Sequence, residues 1–371
     1  MDRQQSILVA GAGPVGLAAA VELARRGFAP TVIDNDGEPS PESRALAVNA
    51  RTLDILEPAG VTERIIDAGH RVNGMTFIHR GAELMRLELS LIPHRFNFLI
   101  SLPQSRTEEI LIGRLRELGH DVGWYTALTG FQVAGDALQC LVDRNGSSEE
   151  VHADILIGAD GASSLVRKTL GMAFDGRTEP GLFGLADVTL DDWPYPFDRA
   201  VVHRDPGQIV GFIPMGEGYG RLVSNHADVL NRLPPTMKVA DVIWESEFRI
   251  SYRQVEAYQS GNVFLAGDAA HIHSPAGGRG MNLGIEDAAS LAWLIGEGRT
   301  EEYTQLRHPV GEKVLKFTEA QTRQMTGSSK LEDFMLTWLA PFLLGFKAVQ
   351  RLAVTRLVGL ETPHPPWLEP D

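Results

Sequence analysis

Residues 267–287, GDAAHIHSPAGGRGMNLGIED, gather a carboxylate, five glycines, a proline and a helix start into one short stretch. An apolar run at 262–266 precedes it and reads as a buried strand. Asp268 stands at the end of that strand. Pro275 and the glycines make a loop too rich in special backbone positions to be an ordinary connection. Near Met281 an amphipathic helix opens, apolar at Leu283, Ala288, Leu291, Ala292, Leu294 and Ile295. A helix start offers amides without intrahelical partners and a partial positive charge. A carboxylate for hydroxyl groups beside bare amides for a developing anion suits a flavin. Asp268 would hold the ribityl chain. The helix end can stabilise negative charge at the N1/C2=O side of the reduced ring, and Gly267, Gly280, Met281 and Asn282 are candidate cofactor-binding residues.

The N-terminus supplies the complementary half. The apolar run 7–10 leads straight into Gly11-Ala12-Gly13-Pro14-Val15-Gly16, which opens a helical run over 17–26. A second strand, 30–33, ends in Asp34. Strand, GxGxxG, helix, strand and terminal acid form a dinucleotide-binding βαβ unit. Gly11 allows the tight turn, Gly13 admits a pyrophosphate, and Gly16 lets the helix pack on the strand. Asp34 can accept from a ribose hydroxyl. This unit alone does not separate FAD from NAD(P). The distant GD motif decides for FAD. A third motif agrees: a buried strand at 154–158 runs into Asp160-Gly161 and a helix start where Ser164 can cap.

GAGPVG, GADGASSLVR and GDAAH…P…GMN…ED occur in this order and spacing. They resemble the FAD-dependent aromatic hydroxylases, the single-component flavoprotein monooxygenases related to p-hydroxybenzoate and phenol hydroxylase. Ser43-Arg44-Ala45 and Leu102-Pro103-Gln104 are similar to two further family segments. The resemblance covers most of residues 5–310. It implies that Arg44 reaches the FAD pyrophosphate or the nicotinamide nucleotide, that Gln104 contacts FAD, and that no second Rossmann unit is needed for NAD(P)H. It implies hydroxylation of an aromatic, phenolic or polyketide-like substrate with NAD(P)H and O₂ through a flavin C4a-hydroperoxide. Baeyer–Villiger or epoxidising oxygenases, flavin-dependent reductases and a non-catalytic binding protein are the rival readings. Two positions depart from the pattern. Arg279 stands where the family usually has glutamine, and could tune the flavin or pair with Glu286 or another acid. Asp34 stands where glutamate is usual.

The expected architecture is α/β, α+β overall. A Rossmann-like FAD lobe from 1–71, 104–180 and 254–330 carries a discontinuous, mostly antiparallel substrate lobe from 72–103 and 181–253. A C-terminal helical segment follows at 331–371. Residues 75–79 and 84–89 read as a hairpin; 187–190, 200–203, 208–213 and 220–224 read as strands. Residues 239–248 read as a helix. On the substrate lobe, Phe212 and Pro214 are candidates for pocket lining. His203 and Tyr252, with His226 and Tyr219, are the side chains that could serve as a base toward a phenol. Pro275 could face the oxygen adduct.

His271 and His273 form an H-x-H pair, but no acid or cysteine stands at ligand spacing and no metal is expected. Cys140, the single cysteine, sits in an alternating strand pattern and reads as a buried thiol. The formal charge of −14 argues against nucleic acid and anionic membrane partners. The polar opening 1–6 carries no signal-peptide pattern, so a cytoplasmic enzyme, monomer or homodimer, is the expectation. The apolar stretch 334–346, interrupted by Pro341, is too short to span a bilayer and should cap the core or meet a second subunit. A thioredoxin-like C-terminal domain, carried by larger members of the family, is not expected in 371 residues.

Overall fold

The structure, a computed structural model, describes residues 5–39, 45–135, 137–205, 207–275, 277–326 and 335–368. Two large sheets organise them. The first has six strands. Its centre is β1 (Ser6–Ala10), flanked by β2 (Ala29–Ile33) and β12 (Ile155–Gly158), both parallel to it. β8 (Val122–Gly123) extends one side. On the other side β19 (Val263–Leu265) runs parallel to β12, and β18 (Gln259–Ser260) closes the edge antiparallel. These strands read as continuous apolar runs because both faces are covered, as parallel sheets require. The helices α1 (Pro14–Ala24) and α6 (Gly280–Glu297) pack against each other beside this sheet. Gly284 makes the close approach possible, since a Cβ there would lie 2.5 Å from Val15. A small antiparallel sheet of β9 (Thr126–Ala134), β10 (Ala137–Arg144) and β11 (Ser147–Ala153) adjoins, with Cys140 buried on β10.

The second large sheet has eight strands. Its order is β20 (His271–Ile272), β17 (Lys238–Gln254), β13 (Asp175–Asp192), β16 (Tyr219–Ser224), β15 (Gln208–Gly216), β14 (Arg199–Asp205), β5 (Gly74–His79) and β6 (Ala82–Glu88). Only β14 and β5 pair in parallel. The sheet takes in 175–178 ahead of residue 181. It also takes in His271 and Ile272 from the GD loop, so the substrate-side sheet and the flavin loop share a ladder. One face, with Met75, Phe77, Ala200 and Ile213, packs on the main core. The other, with Ala186, Val188, Val210, Phe212 and Leu222, builds a separate core with Val229 and Met237. A third, three-stranded sheet, β3 (Ala47–Val48), β7 (Leu99–Ser101) and β4 (His70–Val72), bridges the two.

The expected helix over 239–248 is a strand. β17 pairs along its length with β13, and its exposure alternates from Trp244 to Tyr252. Its β-branched and aromatic residues suit a half-buried ladder. Bulges opposite Asp187, Thr189 and Leu190 disturb the alternation at the start, which is why the spacing imitates a helix.

The C-terminal end also departs from expectation. Phe334 lies outside the described residues. A π-helical turn at Met335–Leu339 leads into α8 (Ala340–Leu344) and α9 (Lys347–Leu357). Trp338 is 69% exposed and Phe342 65% exposed, and Leu343, Phe346 and Leu352 also face outward. Among the described residues of the stretch Leu344 packs on the core, while Trp338, Phe342, Leu343 and Phe346 do not cap it within one chain. Among the described residues no helix is long and apolar enough to cross a membrane.

Candidate cofactor site

At the carboxyl ends of β1, β2 and β12 lies a cavity of about 490 Å³. Gly11, Gly13, Asp34, Gln104 and Asp160 all line it, although the sequence spreads them over 150 residues. The backbone makes the shape. Gly11 has φ +105°, and a Cβ there would meet the Ala159 carbonyl at 2.3 Å. Gly16 would place its Cβ 1.9 Å from the Gly11 oxygen. Pro14 opens α1, which has no side-chain cap, so its first amides are open to a ligand. Asp34 accepts from the Ala12 amide at 2.6 Å and the Asp36 amide at 2.9 Å, which fixes its carboxylate at the cavity wall. Asp160 uses Oδ2 to cap α5 (Leu165–Thr169) through the Leu165 and Val166 amides. Its buried Oδ1 has no hydrogen-bond partner among the described residues.

Gln104, at the start of α4 (Gln104–Glu117), donates to Glu108 at 2.9 Å and accepts from the Ala45 amide. Burial pushes the Glu108 carboxyl up to about 7, against the Gln104 hydrogen bond and with help from Asp34. Glu108 lines the cavity as well and was not assigned a role from sequence. Arg44 lies outside the described residues.

The second end of the site is the loop from Gly267 to Asn282. Asp268 is exposed in a 3₁₀ turn directly after β19, and Gly267 has φ +60° with Val15 pressed against it. Long-range side chains fix this loop. Asp287 on α6 is buried and accepts from His271 Nε2 at 2.6 Å and from the Gly267 amide at 3.3 Å. On its other oxygen it accepts from Arg307 at 2.7 Å, on α7 (Tyr303–Thr326). Arg307 also reaches Glu286 at 2.6 Å. Burial drives the Asp287 carboxyl up, but Arg307 and His271 more than offset it and leave it below its ordinary value. Two adjacent acids in an apolar helix are the sequence signal for a buried cation, and that cation is Arg307 where Arg279 was the expected partner of Glu286. His271 is thus committed to Asp287, and it stacks on His273 at 6.3 Å.

Asn282 ties the loop further. Its amide nitrogen donates to Ala47 O and Gly278 O, and its oxygen accepts from the Asn49 amide and Thr52 Oγ1. The side chain is saturated, so Asn282 can serve a cofactor only through its backbone. Gly280 and Met281 share the same uncapped first turn of α6. Arg279 pairs with Glu361 at 2.8 Å and not with Glu286.

The substrate-side candidates divide between the two faces of the eight-stranded sheet. Phe212 and His203 lie behind it. Phe212 is buried against Trp193, ring centroids 4.4 Å apart, and His203 borders Tyr195. Pro214 follows the same alternation as Phe212. Burial lowers the His203 pKa. These three side chains turn away from the face that meets the flavin lobe, because alternation sends Ile213 there instead. Tyr252 comes to the loop itself. Its hydroxyl bonds Ser274 and Thr322, next to the exposed Pro275, and burial raises its pKa. The forward face also holds Arg221, bound by Asp187 through two contacts of 2.6 and 2.8 Å and overlaid by Trp244.

Residues 4–318 match the family described as FAD binding domain. The chain belongs to this FAD-binding family. It is 37% identical over 373 residues to 6-methylpretetramide 4-monooxygenase of Streptomyces rimosus, covering 93% of this chain and 66% of that protein. Pentachlorophenol 4-monooxygenase of Sphingobium chlorophenolicum is 32% identical, again with 66% of its length covered. The solved structure of OxyS anhydrotetracycline hydroxylase from Streptomyces rimosus superposes with a TM-score of 0.81 at 30% identity, covering 99% of this chain and 78% of that one. This chain therefore spans about two thirds of the first curated relatives it matches. The resemblance read from the motifs holds at the level of family, fold and cofactor. The residues fit FAD: a glycine-shaped cavity with a fixed acid at one end, and a carboxylate beside an uncapped helix start at the other.

Proposed function

We propose that the chain is a monooxygenase that hydroxylates an aromatic, phenolic or polyketide-like substrate with NAD(P)H and O₂. The observation that carries this reading is the glycine-lined cavity and the Gly267–Asn282 loop, the latter joined through β20 to the edge of the sheet whose forward face would cover the substrate. The relatives named above as monooxygenases support it. Bound FAD supplies hydride acceptance from NAD(P)H and activation of O₂. The chain's own residues do the rest. Gly11, Gly13 and Asp34 hold the adenosine and pyrophosphate, and Asp268 holds the ribityl hydroxyls. The amides of Gly280, Met281 and Asn282 stabilise negative charge on the pyrimidine side. Ile213, Trp244 and neighbouring apolar side chains exclude water. Tyr252, through Ser274, orients the loop that carries Pro275.

Arg221 favours a neutral substrate over a carboxylate. Its charge is already matched by Asp187, and withdrawing it would strand a buried acid. The test is NAD(P)H consumption with a panel of neutral phenols and polyketide aromatics, run under ¹⁸O₂. Hydroxylated product carrying one labelled oxygen is the expected result. Turnover of an aromatic without label would move the chain to the reductases, and no ligand-dependent NAD(P)H oxidation would leave a binding protein.

A further inference from the structure

A buried ion pair ties the C-terminal segment to the flavin loop. Arg279 is the residue immediately before α6, and its carbonyl accepts the first helical bond from Leu283. It is 2% exposed. Its guanidinium donates to Glu361 Oε1 at 2.8 Å and to the Arg356 carbonyl at 2.6 Å. The segment bearing these acceptors is itself anchored. Lys313 Nζ donates to the Glu361 carbonyl at 2.6 Å, and Trp367 packs on Trp293 of α6 at 5.5 Å. Leu357 lies where a Cβ on Gly277 would be 3.5 Å away, so the same segment lies alongside the loop at Gly277. The other acid that could have neutralised Arg279, Glu286, is occupied by Arg307. Arg279 Nε and Glu361 Oε2 are both buried without a hydrogen-bond partner among the described residues, and the nearby buried Arg51 acts on Glu361 through its charge.

From this arrangement we propose that Glu361 is a positioning residue for the flavin. Through Arg279 it sets the conformation of 277–282, in which the amides of Gly280, Met281 and Asn282 would meet the FAD, and it masks a buried cation at the head of α6. This inference rests on the FAD reading of the site. Loss of Glu361 would leave the cation unmasked beside the place where the reduced flavin carries negative charge. That stabilises the reduced form. Loss of Arg279 would leave Glu361 without its hydrogen-bonded cation, only the charge of Arg51 remaining nearby, and do the opposite. A purely structural pair would have no sign-dependent effect on the flavin.

The experiment compares FAD-loaded wild type with Glu361→Gln, Arg279→Gln and the double variant. It reads the flavin midpoint potential, the FAD dissociation constant by fluorescence and the melting temperature. The expected result is a positive potential shift for Glu361→Gln and a negative one for Arg279→Gln. Each should approach tenfold in the oxidised-to-reduced ratio, about 30 mV for a two-electron couple. The double variant should return toward wild type, with FAD affinity following. If Glu361→Gln does not fold, the negative shift of Arg279→Gln and its reversal in the double variant carry the test. Shifts of the same sign, or unchanged potentials with only a lower melting temperature, overturn the proposal. Wild-type protein that takes up no FAD would instead defeat the FAD reading itself.

Discussion

The two ends of the cofactor site are built by different means. At the nucleotide end the backbone does most of the work: Gly11 at φ +105°, Gly16 against the Gly11 carbonyl, an uncapped helix start, and one acid held by amides two and twenty-two residues away. At the ring end the same kind of helix start is held by side chains from far along the chain. Asp287 binds Gly267, His271 and Arg307; Asn282 binds Ala47 and Asn49; Arg279 binds Glu361. The nucleotide end is local and sterically determined. The ring end is a set of buried charges and amides that must all be satisfied together, and it is where the chain can adjust its chemistry.

The largest expected effect falls on the ring end. Asp287→Asn leaves Arg307 and His271 short of a buried partner, and breaking such a network costs about 3–5 kcal/mol. Calorimetry should show a large drop in melting temperature together with loss of FAD. Because the Asp287 carboxyl is held below its ordinary value, its contribution is present above the usual carboxylate range and disappears as pH falls through the depressed value. The variant should therefore also flatten the acid limb of the wild-type stability curve. A small change at all pH values would show that the ring end does not depend on this network.

At the nucleotide end the corresponding side-chain test is Glu108→Gln. Glu108 binds its proton more tightly folded than unfolded, with a value of about 7 against an ordinary 4.5. Its effect is absent below the unfolded value, and cofactor-free protein should lose stability as pH rises from about 4.5 to 7, by roughly 2–3 kcal/mol. Glu108→Gln should remove that slope in denaturant titrations across the same range. An identical slope in the variant would place the titration elsewhere. Asp268→Ala sharpens the comparison at the ribityl chain. Loss of a charge-assisted hydrogen bond of about 1.5–3 kcal/mol should weaken FAD binding roughly 10- to 100-fold. Unaltered affinity in a fluorescence titration would remove Asp268 from the site. The smallest effect is expected outside both ends. Trp338→Ser, at a 69% exposed position, should change the stability of the isolated chain by no more than about 0.5 kcal/mol. A clear loss of melting temperature would mean that this surface is covered in solution.

The same contrast explains how much could be read from sequence. GAGPVG, Asp34, Gln104 and Asp160 were legible because glycines with fixed spacing and strand-terminal acids leave few alternatives, and they converge on one cavity. The apolar runs of β1, β12 and β19 were legible for the same reason. The partners of Arg279 and Asp287 were not, since pairing across 16 to 82 positions depends on how the loop, α6, α7 and the C-terminal segment pack. Phe212 was assigned to the pocket from its strand, but strand membership does not give the face, and alternation sends Ile213 forward in its place. The strand over 239–248 was hidden by bulges that break its period. The exposure of Trp338 and Phe342 could not be read at all, because an apolar stretch does not announce whether its own core has room for it.

The measurement that bears most directly on the central claim is the identity of the released flavin. Protein purified after growth with adequate riboflavin, or reconstituted with FAD, is precipitated with acid, and the supernatant is separated and quantified against protein. The account predicts FAD, non-covalently held, at close to one per chain, because only a dinucleotide engages both the Gly11–Asp34 cavity and the Gly267–Asn282 loop. Recovery of FMN, or of no flavin after reconstitution of folded protein, would contradict it.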